Sequence, residues 1–167
     1  MRVLGIDCGC DSTGYGIIET DGRTHRMLIH GAIKTTSRQP FPERLRCISE
    51  ALIRLMQEWS PLEVAVEEVF FAANAKSALK LGHVRGVALL EAARAGFPVN
   101  EYSALEVKSA VVGYGRAEKQ QVQMMVKELL HLAAIPEPND AADALALAIC
   151  HAHHAHTASL LTAGVSR

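Results

Sequence analysis

Four acidic residues stand where charge is out of place. Asp7 ends the apolar run Val3-Leu4-Gly5-Ile6, which reads as a strand buried on both faces. Such a setting excludes a carboxylate unless a cation meets it. Glu67 interrupts a second apolar run, Val64-Ala65-Val66, near the carboxyl end at which open α/β sheets place their sites. Asp140 and Asp143 lie three apart in the first turn of a C-terminal helix, so both project from one face. Each has a plainer role when taken alone: Asp7 can open an Asx turn, and Asp140 and Asp143 can cap a helix and complement its dipole. Together they form a set that one sheet edge can collect. Four converging carboxylates repel one another strongly unless multivalent cations neutralise them. Hard oxygen ligands without cysteine or spaced histidine partners favour magnesium or manganese over zinc. Two such ions can stabilise the attacking and leaving oxygens of an in-line phosphodiester displacement. The expected chemistry is nucleic-acid hydrolysis with two Mg2+ ions per site, Mn2+ substituting.

The rest of the chain supplies elements to position these acids. Gly9, Gly14 and Gly16 follow Asp7 and are read as room for a phosphate or another chain to approach closely. Residues 14–20 read as a second strand, Asp21-Gly22 as a tight turn and residues 26–34 as a third strand; links this short make the three strands antiparallel neighbours. Pro42 suits a first helical position, and Leu45, Ile48, Leu52, Leu55 and Trp59 recur at steps of three and four, so a helix with one apolar face is predicted over 42–58. A strand over 62–71 follows, and a helix between two strands implies a right-handed crossover with parallel pairing. Further helices are predicted over 74–95, 105–112, 117–132 and 139–156, with a short strand at 98–102. The fold class is therefore α/β: a mixed five-stranded sheet, three antiparallel strands and then parallel ones, flanked by helices. Residues 1–157 are read as one domain and 158–167 as a flexible tail.

Composition narrows the functional classes. A chain of 167 residues, 49% hydrophobic and 21% charged, is long enough for one well-buried core and short for two domains. No run approaches the length of a bilayer span and the sequence starts directly with strand-like residues, so a cytoplasmic protein with no membrane partner is expected. Cys8, Cys10, Cys47 and Cys150 form no CxxC pair, which points away from structural zinc and disulfides. A formal net charge of −1 argues against coating nucleic acid through overall basicity. Between Lys76 and Lys119, however, seven basic residues face four acids, enough for a local anion-binding face. His83, Lys80 and Arg85 are read as lying on the surface or facing DNA. Gly82 and Gly86, four apart, allow close approach of another helix, within the monomer or across a dimer. The run His151-Ala-His153-His154-Ala-His156 splits its imidazoles between helix faces and reads as a solvated helix end rather than a metal site.

Four blocks, GIDCGCDSTGYG (5–16), VEEVFFAANAKSALKLGHVRG (66–86), VKSAVVGYGRAEKQQVQMMV (107–126) and DAADALALAICH (140–151), come in the order in which the RuvC family of Holliday-junction resolvases carries them. The chain resembles that family over nearly its whole length. The resemblance implies a ribonuclease H-like fold and a homodimer that resolves four-way DNA junctions by paired, symmetric, magnesium-dependent nicks during recombination and repair, with RuvA and RuvB as branch-migration partners. By position it makes Asp7, Glu67, Asp140 and Asp143 the metal-binding catalytic acids. It sets Phe70 against an unpaired base at the crossover, and Lys108 and Lys119 near the scissile phosphate, Lys119 acting in catalysis. Phe71, Lys76 and Lys80 complete the expected DNA contacts. The chain departs from the family at Cys8 and Cys10, where the usual pattern is Asp-Pro-Gly-Ser, so thiols beside the metals and sensitivity to oxidation or soft metals are expected. Two other readings compete. An inactive junction-binding module lacks support because all four acids are present, and an actin-like ATPase fragment needs a second domain for which 167 residues leave no room.

Overall fold

The computed structural model describes residues 1–68 and 75–165. In chain order the elements are β1 (Arg2–Asp7), β2 (Ser12–Thr20), β3 (His25–Lys34), α1 (Phe41–Trp59), β4 (Glu63–Glu67), α2 (Ala75–Arg94), β5 (Val99–Tyr102), α3 (Ala104–Val112), α4 (Lys119–Leu129) and α5 (Asn139–Val165). The strands form one sheet in the order β3-β2-β1-β4-β5. β1, β2 and β3 pair antiparallel, whereas β1 with β4 and β4 with β5 pair parallel, as the short and long connections require. Phe70 and Phe71, and the end of the strand expected over 62–71, lie outside the described residues.

Side-chain alternation along the central strands divides the core into two layers. Leu4 and Ile6 of β1 join Val64 and Val66 of β4 in a cluster with Ile48 and Leu52 of α1 and Val84 of α2. The intervening residues, Val3 and Ala65, join Val107, Val122, Leu145 and Ile149 from α3, α4 and α5. The period of two along a strand therefore sends Gly5, Asp7, Ala65 and Glu67 to the α5 face of the sheet and Cys8 to the opposite face.

α5 is buried almost all round through its first half, with Ala141, Ala142, Ala144, Leu145, Ala148 and Ile149 each at most 1% exposed. Its approach to the sheet depends on glycine. A Cβ at Gly5 would run into the carbonyl of Ala144, one at Gly14 into the backbone of Asp140, and one at Gly16 into the Leu145 side chain. These small residues serve packing within the chain, which corrects the expectation that Gly14 and Gly16 leave room for a phosphate or a second chain. Gly9 instead tightens the turn after β1, where a side chain would meet the Ser12 carbonyl.

Two further expectations change. The last helix, expected over 139–156, continues to Val165, because Ala158, Leu160 and Leu161 favour helix and no proline interrupts them. The histidine run is a solvated end only in part: His154 is exposed, whereas His151 is buried and His153 half-buried. His151 is 3% exposed, lies 2.7 Å from the Tyr102 hydroxyl through Nδ1 and 3.0 Å from Glu63 through Nε2. His153 Nδ1 donates to the Ala110 carbonyl at 3.0 Å, so in its neutral form Nε2 accepts from His25 Nε2, also 3.0 Å away. These imidazoles tie α5 to β3, β4, β5 and α3. Among the described residues, Gly82 and Gly86 meet nothing within 4 Å, so no contact inside the monomer is seen to require them. Among the described residues no helix is long and apolar enough to cross a membrane.

Candidate active site

The parallel register of β1 and β4 sets Ile6 beside Val66, so Asp7 and Glu67, one residue further on, end their strands at the same sheet edge. α5 begins directly above that edge. Its first turn carries Asp140 and Asp143, and one carboxylate oxygen each from Asp7, Asp140 and Asp143 lies within 4.8 Å of the others. Glu67 stands outside this three-way group but lines the same cleft, with Asp7, Asp143, Lys108 and Lys119. At the start of α5 the side chains of Asn139 and Asp140 reach out to other elements. Asn139 Oδ1 accepts from Gln123 Nε2 at 3.1 Å, and Asp140 accepts from Ser12 Oγ.

The electrostatics record the crowding. Burial, followed by repulsion from Asp143, Glu67 and Asp140, pushes the Asp7 carboxyl up to about 7. Burial and the charge of Asp143 raise Glu67 as well. Lys119 Nζ donates to Asp143 Oδ2 at 2.6 Å, and this bond raises the lysine. Lys34, from the end of β3, holds its ammonium 3.7 Å from Asp140. Partly buried carboxylates of this kind, converging by their oxygen atoms alone and drawing in two lysines, are a donor set suited to a hard divalent cation.

Lys108 of α3 and Lys119 of α4 line the cleft. Lys76 and Lys80 lie on α2 and do not line it; Lys80 Nζ stands 5.8 Å from the centre of the Phe41 ring. Arg85 differs from its expected surface position. Its Nε donates to the Glu67 carbonyl at 3.1 Å and its guanidinium pairs with Glu101, so it staples the end of β4 beside β5. Cys8 packs against the apolar layer beneath α1 and α2, and burial, helped by the charge of Asp7, pushes its thiol up to about 12. The Cys8 thiol expected beside the metals is thus a half-buried group on the other face of the sheet. Ser12 and Lys34 are site residues that sequence reasoning missed, and Arg85 was singled out only as a surface or DNA-facing cation. The sole local signal was their placement at strand ends or one helix turn from a glycine.

Comparison with known proteins agrees with this geometry. Residues 3–151 match the family model described as crossover junction endodeoxyribonuclease RuvC. Crossover junction endodeoxyribonuclease RuvC of Koribacter versatilis is 54% identical over 158 residues, covering 94% of this chain and 95% of the relative. The same-named protein of Syntrophotalea carbinolica is 54% identical over 162 residues, covering 97% of this chain and all of the relative. Thermus thermophilus RuvC in complex with a Holliday junction substrate superposes with a TM-score of 0.91 at 37% identity, covering 95% of this chain and 96% of that one. The yeast mitochondrial Holliday junction resolvase shares the fold at a TM-score of 0.62 and 15% identity. Matched along nearly its whole length by sequence and by structure, the chain belongs to the RuvC family of crossover junction endodeoxyribonucleases.

Proposed function

We propose that this protein is an endonuclease that resolves four-way DNA junctions, using Asp7, Glu67, Asp140 and Asp143 as metal-binding acids and Lys119 as a catalytic cation. The observation that carries the reading is the convergence of Asp7, Asp140 and Asp143 oxygens within 4.8 Å, in a chain 37% identical to a relative solved with a Holliday junction. The four acids would hold two divalent ions, Mg2+ suiting an all-oxygen donor set and Mn2+ able to replace it. When bound, such ions supply the Lewis acidity that activates water and stabilises the departing 3′ oxygen.

The chain's own residues do the remaining work. α5 and the two strand ends fix the carboxylates before substrate arrives, so little reorganisation is left to the reaction. Lys119 presents fixed positive charge beside Asp143, where negative charge grows on the phosphoryl oxygens. Lys108 holds the strand on the α3 side of the cleft. Arg85, through the Glu67 carbonyl, keeps the end of β4 in line. Phe70 and Phe71 would meet unpaired bases at the crossover, with Lys76 and Lys80 reaching more distant phosphates.

Paired, symmetric nicks require two such sites. Leu79, Gly82, Gly86 and Leu90 lie three, four and four residues apart on α2, with Leu79 66% and Leu90 48% exposed. A homodimer formed across this face would set two equivalent clefts against a nearly two-fold junction. The protein would act in recombination and repair downstream of RuvA and RuvB.

The test is cleavage of a synthetic four-way junction beside a linear duplex of the same sequence, with Mg2+ and with Mn2+. Symmetry-related nicks confined to the junction are expected. Equal cleavage of the duplex would reduce the activity to that of a general nuclease.

A further inference from the structure

Ser12 opens β2 and Lys34 closes β3, and the two are paired in register. Lys34 Nζ donates to Ser12 Oγ at 2.7 Å, while Ser12 Oγ donates its proton to Asp140 Oδ2. The hydroxyl therefore passes the ammonium's polarity to the carboxylate and holds the lysine at a fixed place. Only one of three ammonium donors is used on Ser12, and the Lys34 side chain is 62% exposed, so donor capacity is left facing solvent. A long side chain that only neutralised Asp140 would gain most by closing directly onto it. Instead Lys34 stands off at 3.7 Å, braced by an intermediary.

The position of this lysine matters as much as its partners. In the sheet order β3-β2-β1-β4-β5, Asp7 and Glu67 occupy adjacent strands, and Lys34 arrives from the β3 side. Lys108 and Lys119 arrive from the helices α3 and α4. The acids are therefore bracketed by cations from separate elements, across the ends of the strands. A nucleic-acid strand with its scissile phosphate at the acids would pass one lysine before that phosphate and others after it.

We propose that Lys34, docked on Ser12, is a substrate-positioning residue that grips a backbone phosphate on the β3 side of the acid cluster. The proposal rests on the junction-resolvase reading above and extends it to a contact outside the acids and the expected basic residues. Contacts of this kind position the strand without reading its sequence, and each neutralised phosphate contributes about 0.9 to the slope of log affinity against log salt.

The experiment is equilibrium binding of a synthetic four-way junction to the full-length protein in EDTA across a salt series, with Lys34→Met, Lys34→Arg and Ser12→Ala. Thermal melting of each variant is measured alongside. Lys34→Met is expected to weaken binding about 3- to 10-fold and to reduce the salt slope by about one. Lys34→Arg should restore the slope, and Ser12→Ala should keep it while weakening affinity. A purely structural lysine would lower the melting temperature and leave the slope intact. An unchanged slope in Lys34→Met, while the native protein binds the junction, overturns this proposal alone. Failure of the native protein to bind the junction overturns the resolvase reading and this proposal with it.

Discussion

Gly14 of β2 and Asp140 of α5 are in such close apposition that a Cβ at Gly14 would enter the Asp140 backbone. Gly14 is also the cross-strand partner of Asp7. One glycine thus sets how near the first turn of α5 comes to the end of β1, and with it the separation of the acids. Gly14→Ala forces the helix away from the sheet, at a cost of about 1–3 kcal/mol for overpacking. Melting should show that loss, and calorimetry should show weaker Mg2+ binding. Gly82→Ala, whose new methyl meets no described residue within 4 Å, should change the stability of the isolated subunit by at most about 1 kcal/mol and in the stabilising direction.

Asp7 carries a second consequence. Its carboxyl is raised to about 7 in the fold, so the folded state binds the proton more tightly than the unfolded chain does. Stability from this group is full below pH 3.8, the ordinary value, and is lost as pH rises through about 7. In EDTA at pH 8, Asp7→Asn should therefore be more stable than the native protein by about 2 kcal/mol. That is half of what the full shift would give at about 1.4 kcal/mol per unit, because water reaches the cleft. Mg2+ should stabilise the native protein and should do little for the variant.

His25 works in the opposite direction. Burial, then the neighbouring His153, lowers it to about 4, so the unfolded chain takes up the proton first. Its contribution is full above pH 6.5 and is lost as pH falls toward about 4. Chemical denaturation of His25→Gln should show less dependence on pH in this window than the native protein. The difference curve should have the sign opposite to that of Asp7→Asn, each with a slope of no more than about 1.4 kcal/mol per pH unit.

Lys119 tests how the cleft handles developing charge. Lys119→Met should lower cleavage about 100- to 1,000-fold while junction binding changes much less, and Lys119→Arg should recover part of the rate. A loss confined to affinity would make Lys119 a simple phosphate contact.

The acids were legible because each breaks a local pattern: Asp7 and Glu67 end apolar strands, and Asp140 and Asp143 share one helix face. The antiparallel and parallel pairing of the strands followed from connection lengths. What escaped was everything set by contacts distant in sequence. Ser12 meets Asp140 across 128 positions, and His25 meets His153 across the same separation, so no local spacing could reveal either. Gly14 and Gly16 were visible as close-approach sites, but sequence could not say that the approaching group was α5. Cys8 was misread because adjacency to Asp7 in the chain means opposite faces in a strand. Arg85 resembled its basic neighbours on α2 until Glu101 and the Glu67 carbonyl were seen to hold it.

The most direct test of the account compares native protein with Asp7→Asn on a synthetic four-way junction with Mg2+, following binding and strand cleavage in the same samples. Paired, symmetry-related nicks by the native protein are expected. The variant should lose cleavage by at least about 100-fold, with junction affinity kept. Cleavage by Asp7→Asn at close to the native rate would contradict the account, as would native protein that binds the junction and leaves it intact in both Mg2+ and Mn2+.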